Sequence, residues 1–168
     1  MPVHIDTDHP RLRVPVRRLG THLRYALTTL GRPKAVVEVA LVDDAAIAEL
    51  NAEWRGVEGV TDVLSFALEE GEPMPGAEEL LGDIVISLDT AQRQADAMTA
   101  FLVERGETGA YGLFEEVAFL ATHGLLHLLG HDHQESADAE AMEALERELI
   151  AAITTAPVHA LDRTDHAL

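Results

Sequence analysis

The chain has 168 residues, of which 30 are acidic and 12 are basic, so its formal net charge is −18. It contains no cysteine, which excludes disulfides and thiolate ligands and leaves histidine and carboxylate side chains for any metal site. Apolar residues make up 47% of the chain, enough for one folded domain, but no run approaches the about 20 apolar residues of a membrane-spanning helix. We therefore expect one cytoplasmic domain with no membrane partner.

The first predicted elements are a helix, a strand and a second helix. Leucines recur at helical spacing between positions 15 and 30, which predicts an amphipathic helix that ends near Gly31. The β-branched residues of segment 35–42 predict a largely buried strand. Either Asp43 or Asp44 can cap the second helix, whose apolar residues share one face: Ile47, Leu50 and Trp54.

Two strands and three helices are predicted in the rest of the chain. The strands fall at residues 61–68 and 82–88, and the stretch between them, rich in Glu, Pro and Gly, predicts a solvated loop. The helices fall at about 88–105, 110–129 and 136–153. The middle helix is apolar nearly all round, which is typical of a buried central helix.

Together these elements predict a single domain of the α+β class. We expect a small mixed sheet of about four strands packed with about five helices. The domain should span residues 1–154, and residues 155–168 should form a flexible C-terminal tail.

The central helix carries the segment HGLLHLLGHDH, from His123 to His133. His123 and His127 are four residues apart and therefore lie on one face of a helix. Gly130 can adopt the left-handed conformation that ends a helix, and the turn can bring His133 to the same point. Three imidazoles suit zinc and leave one coordination position open, so the segment predicts a zincin-like catalytic metal site. Nickel or another divalent ion is also compatible with imidazole ligands.

The same ligand spacing occurs in metzincin peptidases. Those enzymes carry a glutamate directly after the first histidine, where it serves as general base. Gly124 occupies that position here. A peptidase, or another metal-dependent hydrolase, is therefore retained only as a third hypothesis.

Three segments taken together resemble the YbeY family of bacterial endoribonucleases and rRNA maturation factors: LNAEWRGVEGVTDVLSFAL from Leu50, LGDIVISL from Leu81 and the histidine segment from His123. The resemblance spans about half of the chain. It departs from the family pattern at Ala67, where proline is usual, and at His131, where tyrosine is frequent.

The resemblance implies a zinc-dependent endoribonuclease specific for single-stranded RNA, which acts in 3′-end maturation of 16S rRNA and in ribosome quality control. It implies one metal ion held by His123, His127 and His133, and contact of Arg55 with an RNA phosphate. We expect the metal and Arg55 to act from opposite sides of the scissile bond. Zinc hydroxide, Asp132 and the RNA 2′-hydroxyl all remain possible as general base.

The resemblance also implies two partners, a small-subunit ribosomal protein and an Era-type GTPase. These partners suggest a second hypothesis, in which the chain is mainly a ribosome assembly factor that docks its acidic surface on basic proteins while its metal is structural. Seven of the 12 basic residues nevertheless lie in the first 34 positions. This N-terminal group is either the solvated face of a helix or a surface that contacts RNA.

Several residues outside the motif are assigned structural roles. Ser65 and Asp83 are predicted to be fold residues of their strands, and Asp132 either a turn former or a residue that orients a ligand imidazole. The histidines outside the motif segment are predicted to lie on the surface: His4, His9, His22, His159 and His166.

Overall fold

The computed structural model describes residues 3–68, 79–107, 111–131, 135–161 and 163. These residues form four strands and five α-helices, followed by one turn of 3₁₀ helix, which confirms the α+β class. In chain order the elements are β1 (Val3–Thr7), α1 (Val16–Thr29), β2 (Ala35–Val42), α2 (Asp44–Arg55), β3 (Val63–Ala67), β4 (Glu79–Ser87), α3 (Leu88–Glu104), α4 (Leu113–Leu128), α5 (Ser136–Ile150) and the 3₁₀ turn Val158–Ala160.

The four strands form one mixed sheet in the order β1-β2-β4-β3. Strands β1, β2 and β4 run parallel, and β3 pairs antiparallel with β4 at the opposite edge from β1. The sequence pattern predicted three of these strands. It missed β1 because only Val3 among its five residues is buried, so the strand carries almost no apolar pattern; β3, equally short and also at an edge, begins with two buried residues.

The two faces of the sheet are covered unequally. Helices α1, α3, α4 and α5 share the main core with one face, and twelve of the sixteen residues of α4 are buried, as its apolar sequence predicts. Helix α2 packs on the other face through Ile47, against Leu64 and Val85. Trp54, predicted to share that contact, is 67% exposed because it lies in the last turn of α2, where the helix leaves the small cluster.

Side chains cap two of the helices. Asp43 accepts a hydrogen bond from the backbone N–H of Ala46 at 2.9 Å and begins α2. Ser87, the last residue of β4, accepts from the N–H of Thr90 at 3.3 Å and begins α3 directly at the end of the strand. The end of α2 is formed by Gly56 in the left-handed conformation.

The segment after α5 packs against the body of the protein as far as it is described. Val158 is 1% exposed, and the Arg163 guanidinium lies 3.2 Å from the carboxylate of Glu116, a residue of α4 that is fully buried. Tyr111 also donates a hydrogen bond to this carboxylate, at 2.8 Å. A buried carboxylate requires such partners, so Arg163 and Tyr111 compensate the charge of Glu116. The flexibility of residues 155–168 stays a prediction.

Within the described residues, no helix is both long and apolar enough to cross a membrane.

Gly82 in β4 provides a test of the sheet. Its φ is +143°, and an added Cβ would lie 2.1 Å from the backbone oxygen of Phe66 on β3. Gly82→Ala should lower the free energy of unfolding by about 3 kcal/mol, because backbone atoms cannot rotate away from the clash. Urea denaturation followed by circular dichroism measures the change.

The matched control is Gly31→Ala. Gly31 also has a positive φ, +77°, but no atom lies within 4 Å of an added Cβ. Gly31→Ala should lower the free energy of unfolding by only about 1 kcal/mol, the cost of placing a non-glycine residue at a positive φ. Equal losses in the two variants would show that the contact with Phe66 has no role.

Candidate metal centre

Helix α4 places His123 and His127 on one face with their ring nitrogens directed toward each other. The two Nε2 atoms are 3.1 Å apart. Two imidazole ligands at about 2.0 to 2.1 Å from one zinc ion, at a tetrahedral angle, would be separated by about 3.3 Å. The pair therefore fits two ligands of a single ion. His123 is 6% exposed, whereas His127 is partly exposed.

Glu146 on α5 fixes the orientation of the first imidazole. Its Oε1 atom lies 2.9 Å from Nδ1 of His123, and Glu146 is 2% exposed. A carboxylate at Nδ1 favours the tautomer with the proton on that nitrogen, which leaves the Nε2 lone pair for a metal. Sequence reasoning missed Glu146, although a signal was present: it lies on the apolar stripe of α5, between Met142 and Leu149.

The end of α4 has the predicted turn. Gly130 has a φ of +94°, and its N–H donates to the carbonyl of His127 at 3.0 Å while that of His131 donates to Leu126 at 3.0 Å. Asp132 and His133 follow outside the described residues, so His133 as third ligand stays a prediction. The described ranges alone contain no cluster of three His, Asp or Glu side chains suited to a metal.

Gly124 lies where α4 meets the sheet most closely. An added Cβ would be 3.0 Å from Cγ2 of Ile84 and 3.2 Å from Oγ of Ser65. The Ser65 hydroxyl also donates to the carbonyl of Gly124, at 3.4 Å. A glutamate at this position, which a metzincin peptidase uses as its base, would therefore require the side chains of Ile84 and Ser65 to shift.

Arg55 is the last residue of α2, immediately before the left-handed Gly56. Its guanidinium makes no ion pair or hydrogen bond with a described residue, and partial burial lowers its pKa. Within the described residues, no hydrogen bond or ion pair joins Arg55 to His123 or His127. Arg55 is followed by the connection from α2 to β3, and Ser65 of β3 contacts α4.

That connection between α2 and β3 is held by side chains at both ends. Asn51 donates from Nδ2 to the carbonyl of Gly59 at 3.1 Å. Asp62 accepts from the N–H of Val63 at 2.7 Å and from Gln94 of α3 at 3.2 Å. The position of Arg55 is therefore set relative to the sheet on which α4 packs.

Two of the histidines predicted to lie on the surface are buried. His9 accepts from the N–H of Leu12 at 2.9 Å and contacts Asp89 at 2.8 Å. His22 on α1 is 4% exposed, and its Nε2 lies 2.9 Å from the hydroxyl of Thr122. The prediction failed because polar partners from distant parts of the chain allow an imidazole to be buried.

The other surface predictions had different outcomes. His4 is exposed as predicted, and His159 is half-buried against Phe119, with ring centroids 5.4 Å apart. His166 lies outside the described residues.

The fold and this site define an α+β protein with a candidate histidine metal centre on its central helix. A family model described as endoribonuclease YbeY matches residues 14–154. The chain belongs to this family, which confirms the family and the class of RNA-cleaving enzyme that the motifs predict.

Similar proteins support the assignment over most of the chain. An endoribonuclease YbeY from Anaeromyxobacter sp. is 47% identical over 149 residues, which cover 89% of this chain and 70% of that protein. One from Pelotomaculum thermopropionicum is 48% identical over 156 residues, covering 89% and 95%. The solution structure of a Thermotoga maritima protein, 22% identical, matches with a TM-score of 0.52 over 95% of this chain and 97% of that one; it supports the fold.

Buried His22 predicts a specific dependence of stability on pH. Burial lowers the pKa of His22 from 6.5 to about 4, so the folded state binds a proton less readily than the unfolded state. Stability is then lost as the pH falls from about 6.5 toward 4, by about 3 kcal/mol in all. In His22→Leu this part of the loss should disappear, as measured by urea unfolding at a series of pH values.

His4→Leu, at an exposed position of β1, is the matched control and should retain the full loss. If His22→Leu and the unmodified protein lose stability in parallel between these pH values, His22 is not the group responsible.

Proposed function

We propose that this protein is a zinc-dependent endoribonuclease that cleaves single-stranded RNA, and that its natural substrate is the 3′ region of the 16S rRNA precursor. The observation that carries the proposal is the pair of Nε2 atoms of His123 and His127, 3.1 Å apart, in a chain of the endoribonuclease YbeY family. The rRNA substrate and a role in ribosome quality control rest on the resemblance to that family.

Three histidines are proposed to hold the metal: His123, His127 and, from its spacing, His133. Zinc suits this all-nitrogen set, and nickel is the alternative. When bound, the ion supplies a Lewis acid for a phosphoryl oxygen of the substrate. Glu146 holds the His123 ring in the orientation that directs Nε2 outward.

Arg55 is proposed to bind the RNA phosphate. In a chain with 30 acidic residues, a guanidinium that no described carboxylate neutralises retains its charge for a ligand. A planar guanidinium can donate two parallel hydrogen bonds to a phosphate, which orients it and stabilises negative charge that develops during cleavage. The connection anchored by Asn51 and Asp62 gives this side chain a fixed base.

One observation favours the second candidate function, a ribosome assembly factor. The sheet face beside α2 carries an open groove of about 520 Å³ lined by acidic Asp6, Glu38 and Asp83 together with apolar side chains that include Trp54 and Phe66. Such a surface complements a basic protein segment with apolar anchors. The proposed occupants are a small-subunit ribosomal protein and an Era-type GTPase, which would bring a protein of charge −18 to rRNA.

Metal removal tests the catalytic proposal. The purified protein should contain zinc by elemental analysis, and chelation should abolish cleavage of a single-stranded RNA until zinc is restored. His127→Ala should lose both zinc and cleavage. Arg55→Gln should keep the zinc but cleave about 100-fold more slowly, because only the phosphate contact is lost. Unchanged cleavage by the metal-free protein would contradict the proposal.

The same positions separate catalysis from assembly in cells. If His127→Ala and Arg55→Glu both restore rRNA maturation in a strain that lacks the native protein, the assembly function is the correct one. If both fail while the variant proteins accumulate normally, catalysis is required.

Glu146→Gln tests the support of the first ligand. Loss of the negative charge at Nδ1 should weaken zinc affinity by about 10- to 100-fold, measured by competition with a chromophoric chelator, and should alter the visible spectrum of the cobalt-substituted protein. Glu143→Gln is the matched control, since Glu143 lies on the same helix and pairs with exposed Arg147. Equal affinities of the two variants would remove Glu146 from the site.

A further inference from the structure

The first part of the chain has a charge opposite to that of the rest. Residues 9–37 contain seven Lys and Arg residues and no Asp or Glu, a formal charge of +7, whereas the remaining residues carry −25. This segment includes all of α1. A protein with so large an acidic excess could neutralise these positive charges with its own carboxylates. Whether each basic residue has an ion pair therefore indicates whether its charge is available to a ligand.

Ion pairs are distributed unevenly between the two parts. Four of the five basic residues after position 34 pair with described carboxylates; these are Arg93, Arg105, Arg147 and Arg163. Among the seven in the N-terminal part, only Arg32 does so, with Glu79. Described carboxylates therefore leave the positive charges near α1 unneutralised.

The exposed side of α1 has a consistent chemistry. Arg17, Thr21 and Arg24 follow one another at helical spacing, and Arg18 and Tyr25 lie beside them. Two of the arginines contact uncharged side chains. Arg24 donates to the Thr21 hydroxyl at 3.2 Å, and the Arg18 guanidinium lies 4.1 Å from the centre of the Phe114 ring. Arg and Tyr are side chains that donate to phosphate oxygens, whereas the Thr21 hydroxyl donates to the carbonyl of Arg17 at 3.0 Å and orients Arg24. We call these five residues the α1 basic surface.

The opposite side of α1 favours a nucleic acid over an anionic membrane as the partner of this surface. A helix that lies in an anionic membrane interface buries its apolar side in the lipid. In α1 that side is already occupied in the core, since Leu19, Leu23 and Leu27 are at most 1% exposed. The surface can therefore offer charge and hydrogen bonds, which suffice for the phosphates of a nucleic acid.

We infer that the α1 basic surface is a second RNA-binding site, which holds the RNA backbone away from the site of cleavage and without regard to base sequence. The identity of the polyanion as RNA rests on the proposed function. The surface is one helix removed from the metal centre, because His22 on the buried side of α1 contacts Thr122, the residue before His123. On this inference, an RNA strand bound at the metal centre extends over α1 and gains affinity there.

The test compares two double variants that change the net charge equally. Arg17→Gln with Arg24→Gln removes two charges of the α1 basic surface, and Arg105→Gln with Arg147→Gln removes two exposed arginines elsewhere. Fluorescence anisotropy measures binding of the zinc-loaded proteins to a 2′-O-methyl single-stranded RNA at several salt concentrations. Gel electrophoresis confirms that the RNA remains intact. Co-sedimentation with phosphatidylglycerol vesicles measures binding to lipid, and circular dichroism confirms that both variants are folded.

The α1 variant should bind the RNA about 10- to 30-fold more weakly at about 0.1 M salt, with the slope of log K against log salt reduced by about 1.4, the value for two contacts to single-stranded phosphates. The control should stay within about twofold of the unmodified protein. For cleavage of a long RNA, the α1 variant should raise KM and leave kcat unchanged.

Three results would overturn the inference. Equal weakening by both double variants would mean that only net charge matters, and no weakening by either would mean that α1 does not contact RNA. Loss of vesicle binding with unchanged RNA binding would assign the surface to lipid. In these cases RNA cleavage by the unmodified protein persists and the proposed function stands. If the unmodified protein neither binds nor cleaves RNA, both proposals fail.

Discussion

The close contact of α4 with the sheet at Gly124 sets the position of every functional group on that helix. Because there is no side chain at this point, the helix backbone approaches Ile84 and Ser65 to within contact distance. The two polar residues just before Gly124 are held by different elements: Thr122 by His22 of α1, and His123 by Glu146 of α5. Since the helix is nearly fully buried, each of these contacts is made in a poorly solvated environment, where hydrogen bonds restrict side chains strongly.

Local features of the site were predictable because they depend on spacing along one helix. Histidines at i and i+4 share a face of any helix, and a glycine after the last apolar turn ends it, as Gly130 does. The partner of His123 was harder to foresee, because Glu146 comes 23 residues later and reaches the ring only through the packing of α5 on α4. The burial of His9 depends in the same way on Asp89, 80 residues away.

The fold shows the same division between local and distant information. Local sequence patterns predicted the five helices and the strands β2, β3 and β4. Strand β1, with one buried residue, gave almost no signal. The contact of Arg163 is hard to predict for a related reason: nothing near Arg163 in the sequence indicates that it pairs with a buried carboxylate on α4. Tertiary partners therefore decided the cases in which composition and local pattern pointed elsewhere.

The contact between Arg163 and Glu116 reaches outside the region that the family model matches. The region that matches the family ends at residue 154, yet the guanidinium of Arg163 compensates the carboxylate of Glu116 in the first turn of the central helix. The Tyr111 hydroxyl beside it has a pKa raised by burial, so it stays protonated and donates to the same carboxylate. A chain cut at the family boundary would keep every proposed metal ligand but would retain a buried negative charge without its cation, a loss of about 3 to 5 kcal/mol. The contacts that compensate the charge of Glu116 thus extend beyond the residues that the family model matches.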